Sequence, residues 1–119
     1  MKASHLRIGN LVKDVDENIF NIKQENLCDF ANGFIVVNPI LLTKERLLNL
    51  GFVFYADSDD QLFVYLNNHK YDCSTLIYSL KEKVLRFNNG EEKGTEIIRH
   101  IKYVHEIQNL FFGLTGREL

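Results

Sequence analysis

The stretch that decides the fold is the last quarter of the chain, Thr95–Leu119, with the sequence TEIIRHIKYVHEIQNLFFGLTGREL. When this stretch is advanced at 100° per residue, the step of an α-helix, its apolar side chains cover an arc of roughly 240°. A helix on a protein surface needs an apolar stripe only a little wider than about 100°. The pattern therefore predicts a long C-terminal helix, about 95–115, that is covered on several sides. Thr95 is its predicted N-cap, and Gly116 is predicted to end it.

Upstream of this helix, short β-like runs alternate with turn residues, and 24–32 is ambiguous between helix and strand. Thr43 as N-cap and Gly51 as terminator predict a short corner helix at about 44–50. The predicted strands are 6–13 with a bend at Gly9, 19–23, 34–37, 52–55, 62–66, 71–80 and 84–87. Together these elements predict one α+β domain over residues 1–119, in which the C-terminal helix packs on a mainly antiparallel sheet.

Composition limits the function classes. The 119 residues carry a net charge of −2, so no global field attracts nucleic acid or an anionic membrane. No apolar run approaches the ~18 residues of a membrane span. The first residues, MKASHLRIGNLV, lack the apolar core of a signal peptide, which makes a cytoplasmic location the expectation. Cys28 and Cys73 stand alone, and such cysteines are more often buried small hydrophobes than disulfide or metal ligands.

Recognised catalytic and metal signatures are missing. Asp57, Asp59 and Asp60 do not follow the register of a calcium loop, and a solvated turn is the favoured interpretation. His100 and His105 would lie about 140° apart on a helix, too far to share a metal. The sequence holds no glycine-rich phosphate loop, GxSxG, HExxH or CxxC. We therefore expect no cofactor, no metal and no enzymatic activity, with a small hydrolase using an acidic site as a minor alternative.

Polar residues on the C-terminal helix are the first candidate site. Gln108 falls near the middle of the apolar arc, and a buried amide without partners costs about 1–3 kcal/mol, so it should have defined partners. Because one sheet face cannot cover the whole arc, we expect a homodimer or higher oligomer. The seam is expected near Tyr103, Leu110 and Leu114. The candidates for contact with a ligand or an interface are Tyr103, His105, Gln108, Asn109, Leu110 and Leu114.

Basic residues near a predicted hairpin are the second candidate site. A strand face that carries cations and aromatic rings can hold single-stranded nucleic acid. The interposed Glu82 and the acidic turn argue against this use, and a solvated edge is the favoured interpretation. The residues of this nucleic-acid alternative are Tyr78, Lys81, Lys83 and Arg86.

The chain resembles a group of small proteins encoded by Bacteroidota, their prophages and related mobile elements. Members of the group begin with an LRIGN-like strand and end in the pattern H-x-L-Q-N-L-[YF]-[FY]-x-L-T-G-x-E-L. The matching parts here are RIGNLV at 7–12, PILLT at 39–43 followed by Leu47 and Gly51-Phe52, and the ending at 101–119. The ending matches at His105, Gln108, Asn109, Leu110, Phe111, Phe112, Leu114, Thr115, Gly116, Glu118 and Leu119, with Ile107 in place of the usual Leu.

The resemblance covers about a third of the chain, and residues 52–92 match nothing. It implies a phage or mobile-element accessory protein and carries over no activity and no catalytic residue. The leading hypothesis is a non-enzymatic protein that binds a host protein or a small, nucleotide-like ligand in the host cytoplasm, as a counter-defence protein would. The alternative is a nucleic-acid-binding regulator.

Overall fold

The computed structural model describes residues 5–55, 58–66, 74–88 and 95–119. The predicted α+β class is confirmed. Within these ranges the elements are β1 (Leu11–Lys13), β2 (Ile19–Asn21), α1 (Gln24–Ala31), α2 (Lys44–Asn49), β3 (Val53–Phe54), β4 (Gln61–Tyr65), β5 (Thr75–Ser79), β6 (Val84–Asn88), β7 (Thr95–His100) and α3 (Val104–Thr115). None of the described helices combines the length and apolar character that crossing a bilayer requires.

Two antiparallel sheets organise the chain. Strands β1 and β2 pair with each other, and the other five strands form a meander in the order β3-β4-β5-β6-β7. The register of the larger sheet aligns Leu62, Tyr78 and Leu85 on its inner face. Because successive strand residues point to opposite faces, the neighbouring row of Phe63, Ile77 and Arg86 lies on the outer face.

The predicted helix over 95–115 is correct only in its second half. Thr95–His100 forms strand β7, which pairs antiparallel with β6. The helix begins at Val104, with Tyr103 as its N-cap, so the prediction that Thr95 caps it was wrong. The carboxylate of Glu106 accepts hydrogen bonds from the backbone N–H groups of Lys102 and Tyr103 at 3.2 and 3.1 Å. Pairing with a neighbouring strand supplies backbone hydrogen bonds that a helical period in the sequence cannot reveal.

Helix α3 ends as the sequence predicts. Gly116 has a φ of 72°, and its N–H donates to the carbonyl of Phe112 at 2.7 Å. The apolar arc predicts that Ile101, Val104, Ile107 and Phe111 are buried, and all four are buried, although Ile101 precedes the helix. The buried positions of α3 cover only about 160° of the helical wheel. The arc of roughly 240° was therefore wrong as a property of a helix, because residues before Val104 are not helical.

Two separate cores stabilise the molecule. Tyr78 is buried in the main core, where its hydroxyl donates to the carbonyl of Ile101 at 2.6 Å. Burial, with a contribution from the nearby Glu106 carboxylate, raises the pKa of Tyr78 to about 12. The main core consists of Leu47, Phe52, Leu62, Leu66, Leu76, Tyr78, Leu85, Ile101, Ile107 and Phe111. The second core, under the small sheet, consists of Leu6, Val12, Ile22 and Val37.

The predicted short elements have mixed outcomes. The corner helix is confirmed, and the Thr43 hydroxyl accepts the backbone N–H of Arg46 at 3.2 Å. The ambiguous segment 24–32 contains helix α1. The predicted strand 34–37 was wrong, because only an isolated bridge between Lys13 and Asn38 joins this segment to the small sheet. The strand predicted over 71–80 is observed as 75–79, and its first three residues lie outside the described ranges.

Candidate functional site

The polar residues of α3 do not form one contact set, because Gln108 and Asn109 face the N-terminal segment. Gln108 is buried, and its side-chain oxygen accepts the backbone N–H of Leu11 at 2.8 Å. The prediction that this amide has a defined partner is confirmed. Asn109 Oδ1 accepts hydrogen bonds from Asn10 Nδ2 at 2.7 Å and from Arg7 Nε at 3.3 Å. The two side chains thus attach α3 to the strand that opens the fold.

An ion pair extends this attachment to the end of the chain. The guanidinium of Arg7 donates to both carboxylate oxygens of Glu118, at 2.5 and 3.1 Å, and lies 4.2 Å from the centre of the Phe112 ring. Gly9, with a φ of 96°, passes so close that a Cβ there would lie 3.4 Å from the Glu118 carboxylate. We call the set of Arg7, Asn10, Gln108, Asn109 and Glu118 the terminal clasp. Its polar groups satisfy one another, which makes it a structural device.

Tyr103 and His105 belong to a different place, a cavity of about 230 Å³. Their rings stack with centroids 5.9 Å apart, and His5, Pro39 and Glu106 line the rest of the cavity. His105 is buried, and its Nδ1 has no hydrogen-bond partner among the described residues. Burial lowers the pKa of His105 below its usual value, and the nearby Glu106 carboxylate only partly opposes this shift. The imidazole is therefore neutral near pH 7.

The buried imidazole predicts a pH dependence of stability. In the unfolded chain His105 titrates near pH 6.5, whereas the folded protein takes up this proton only at lower pH. The free energy of unfolding should therefore fall as the pH drops below about 6.5, by at most about 1.4 kcal/mol per pH unit from this group. Urea denaturation at about pH 7.5 and about pH 5.5 measures the loss, which should shrink in His105→Gln. The control is H100Q, at an exposed histidine, which should lose as much stability as the wild type. An equal pH dependence in H105Q and the wild type would refute the prediction.

The remaining helix candidates do not converge with these residues. Leu110 is partly buried and packs against the main core, whereas Leu114 is half exposed near the end of α3. Tyr103 lies at the opposite end of the same helix. The three predicted seam residues thus lie along one side of the helix, and the seam stays a prediction.

The nucleic-acid candidates are also divided. Tyr78 lies on the inner face of the sheet and is buried, so it is absent from the surface that carries Arg86. Arg86 Nη2 donates to the carboxylate of Glu82 at 2.8 Å. Lys81 and Lys83 occupy the exposed turn between β5 and β6. The four residues do not form one binding face.

The acidic turn has a structural role in its described part. Asp60 accepts a hydrogen bond from the Ser79 hydroxyl at 2.7 Å and another from the backbone N–H of Lys81 at 2.6 Å. Asp59 is exposed, and Asp57 lies outside the described residues. These bonds join the start of β4 to the end of β5, which explains the carboxylate at position 60 without a metal.

Sequence reasoning missed a row of aromatic side chains on the outer face of the larger sheet. The rings of Tyr55 and Phe63 pack edge to face with centroids 5.6 Å apart, and those of Phe63 and Tyr65 with centroids 5.3 Å apart. Tyr55 is 38% exposed and Tyr65 53% exposed. Beside the row lies a cavity of about 270 Å³ lined by Tyr55, Gln61, Ile77 and Arg86, which we call the outer-face groove. The alternation of Gln61, Phe63 and Tyr65 along β4 is the signal that could have located it.

The cysteines and histidines give no metal centre in the part of the chain that the structure describes. No group of three or more His, Cys, Asp or Glu side chains there could hold a metal ion. Cys28 is exposed on α1, unlike the buried small hydrophobe that isolated cysteines more often are, and Cys73 lies outside the described ranges.

The structure thus defines an α+β protein with a terminal clasp, a small cavity at the start of α3, and a row of aromatic side chains beside a groove on the outer sheet face. Comparison of the chain with protein-family models, with curated proteins and with solved structures finds no match.

Proposed function

We propose that this chain is a non-enzymatic binding protein that engages a partner protein through the outer face of its larger sheet. The observation that supports this proposal is the exposure of Val53, Tyr55 and Tyr65 on one face of the sheet. Tyr55 also lines the outer-face groove together with Arg86. Tyrosine, phenylalanine and arginine are enriched in protein interfaces, and tyrosine and arginine supply much of their binding energy. A row of rings that pack on one another offers this contact area with little loss of side-chain entropy on binding.

The dimensions of the cavities favour a protein partner over a small ligand. The outer-face groove and the cavity at His105 measure about 270 and 230 Å³, whereas sites for drug-sized ligands measure about 300–1,000 Å³. A shallow aromatic surface suits a protein partner, because the surface has to cover only one side of the partner's side chains.

The resemblance to proteins of Bacteroidota phages and mobile elements supplies the proposed context. In that context the partner is a host protein, the place of action is the host cytoplasm and the role is counter-defence. The position of the groove supports this role. The residues that resemble the phage-related group lie in the terminal clasp and the helices, whereas the groove lies in residues 52–92, which match nothing.

Site-specific photo-crosslinking in a Bacteroidota host tests the proposal. A photoreactive amino acid at position 65 should give a defined adduct with one host protein, whereas the same amino acid at position 114, on α3, should not. The purified host protein should then bind the unmodified chain, and Tyr55→Ser should weaken this binding at least tenfold. An absence of adducts at position 65, or the same adducts from both positions, would overturn the proposal.

Binding of single-stranded nucleic acid is the second candidate function. The aromatic row beside Arg86 suits the stacking of bases, although Glu82 already neutralises this arginine. If nucleic acid is the partner, the affinity for a labelled oligonucleotide should fall steeply as salt rises from about 50 to about 200 mM. This candidate function would be rejected if the protein binds no oligonucleotide and its affinity for the protein partner changes little over the same range of salt.

Self-association is proposed separately, on the exposed apolar side chains Phe112 and Leu114 at the end of α3. The apolar arc of α3 is narrower than the sequence predicts, so these two side chains are the main support for self-association. Sedimentation velocity at micromolar concentration should show a species larger than the 13.9 kDa chain. A single species of 13.9 kDa would mean that these side chains remain exposed in a monomer.

A further inference from the structure

We propose that the cavity at the start of α3 binds a guanidinium group, carried either by a small molecule or by an arginine side chain. The cavity measures about 230 Å³ and is lined by His5, Pro39, Tyr103, His105 and Glu106. It shares no lining residue with the outer-face groove. An occupant of this cavity is therefore independent of the partner proposed for the outer face of the sheet.

A buried ring in the wall of this cavity has a nitrogen without a partner. His105 is 5% exposed, and its Nδ1 makes no hydrogen bond within the part of the chain that the structure describes. Burial lowers the pKa of His105, so its ring is neutral near pH 7 and has one acceptor nitrogen. Buried polar atoms are nearly always hydrogen-bonded, and a nitrogen that is not points to a bound group. An N–H donor placed against this ring would supply the missing bond.

The carboxylate of Glu106 favours a cation in the cavity over an anion. A helix start attracts anions through free backbone N–H groups. Here Glu106 Oε1 already accepts the N–H groups of Lys102 and Tyr103, and the N–H of Val104 donates to the carbonyl of Ile40 at 2.8 Å. Glu106 forms no ion pair with a described residue, and its Oε2 accepts no hydrogen bond from one. This oxygen can therefore accept a hydrogen bond from a cationic ligand.

The flat side chains of the cavity favour a planar cation. The rings of Tyr103 and His105 lie within 15° of parallel, with centroids 5.9 Å apart. A guanidinium is planar, stacks on aromatic faces and donates several N–H groups, whereas an ammonium is compact, strongly hydrated and has no flat face. A metal ion does not fit, because no three His, Cys, Asp or Glu side chains of the described residues could hold one.

Titration of the full-length protein with matched probes, followed by NMR, tests the proposal. Propylguanidinium should bind with a dissociation constant below about 1 mM and shift the backbone signals of Tyr103 and His105 most. Butylammonium, which keeps the charge, and propylurea, which keeps the plane, should bind at least tenfold more weakly. Glu106→Gln should weaken propylguanidinium binding at least tenfold, because glutamine can still cap the helix but carries no charge. Glu45→Gln, at an exposed glutamate in the first turn of α2, is the control and should not change the affinity.

A capped arginine distinguishes the two sources of the guanidinium group. If N-acetylarginine methylamide binds as tightly as propylguanidinium, the cavity accepts an arginine side chain of a protein. If propylguanidinium binds and the capped arginine does not, the occupant is a small molecule. Either result supports a guanidinium site.

Three results would overturn the proposal: no binding of propylguanidinium, equal binding of butylammonium or propylurea, or an unchanged affinity in E106Q. Urea denaturation of E106Q confirms that a lost affinity does not reflect unfolding. If that variant does unfold, Tyr103→Leu replaces it, because it removes the ring and keeps an apolar side chain, and it should also weaken binding at least tenfold. A photo-crosslinked host protein at position 65 would leave the proposed function in place whatever these titrations show.

Discussion

Replacement of Phe111 by alanine should lower the free energy of unfolding by about 3–5 kcal/mol, the usual cost of truncating a buried aromatic residue. Phe111 is 4% exposed and packs in the main core between α3 and the sheet. Its removal leaves a cavity in this core that the surrounding side chains fill only in part. Because small domains are stable by only about 5–15 kcal/mol, this loss is a large share of the total stability and should lower the denaturation midpoint strongly.

A matched substitution on the same helix separates this core effect from a change in helix propensity. Leu114 is 50% exposed, and Leu114→Ala should change the free energy of unfolding by less than about 1 kcal/mol. Urea denaturation followed by circular dichroism gives both values, provided that the slopes of the transitions agree. Similar losses in the two variants would mean that the end of α3 is as deeply covered as its middle.

The predictable parts of the fold are those that depend on neighbouring residues. The corner helix follows from the hydroxyl of Thr43 and the turn at Gly51, and the end of α3 follows from Gly116. Each of these signals acts within one helical turn. They remain valid whatever the rest of the chain does, and the structure confirms them.

The errors lie where distant segments decide the conformation. Residues 95–100 fit a helical period, yet they become strand β7 because β6 offers an open edge. The segment 34–37 has strong β-propensity, yet it gains only the bridge at Asn38 because β1 ends at Lys13. Strand formation requires a partner strand, and the sequence of the segment itself does not contain this information.

In the candidate site, too, local features could be predicted and long-range contacts could not. The sequence predicts that Gln108 needs a partner, but only the fold reveals that the partner is the N–H of Leu11. The aromatic side chains of β4 alternate visibly, but their exposure depends on which face of the sheet packs against α3. Tyr78 looks equally available in the sequence and is buried on the inner face. Residue types could thus be predicted, whereas their grouping into surfaces could not.

The terminal clasp explains the positions of several residues from the start and the ending that resemble the phage-related group. Arg7 and Asn10 belong to the start that resembles the phage-related group, and Asn109 and Glu118 belong to the ending. These two ends contact each other through hydrogen bonds and an ion pair. These contacts hold residues 7–10 against residues 109–118.

Replacement of Asn109 by alanine should lower the free energy of unfolding by about 2–4 kcal/mol, more than a partly exposed asparagine normally contributes. The substitution removes three hydrogen bonds, to Arg7, Asn10 and the carbonyl of His5. Asn10 is fully buried, so its side-chain amide would remain without this acceptor in a place that water does not reach. An unsatisfied buried donor costs about 1–3 kcal/mol by itself.

The control for this variant is Asn49→Ala, the same change at an exposed position of helix α2, which should alter the stability by less than about 1 kcal/mol. Hydrogen exchange adds a local measurement, because the N–H of Leu11 donates to Gln108, the residue just before Asn109. If Asn109 holds the two ends together, N109A should accelerate exchange at Leu11 more than at Leu76 in the centre of the main sheet. An equal acceleration at both amides would instead mean that the clasp and the main core unfold as one unit, since a local opening exposes only the amides that it releases.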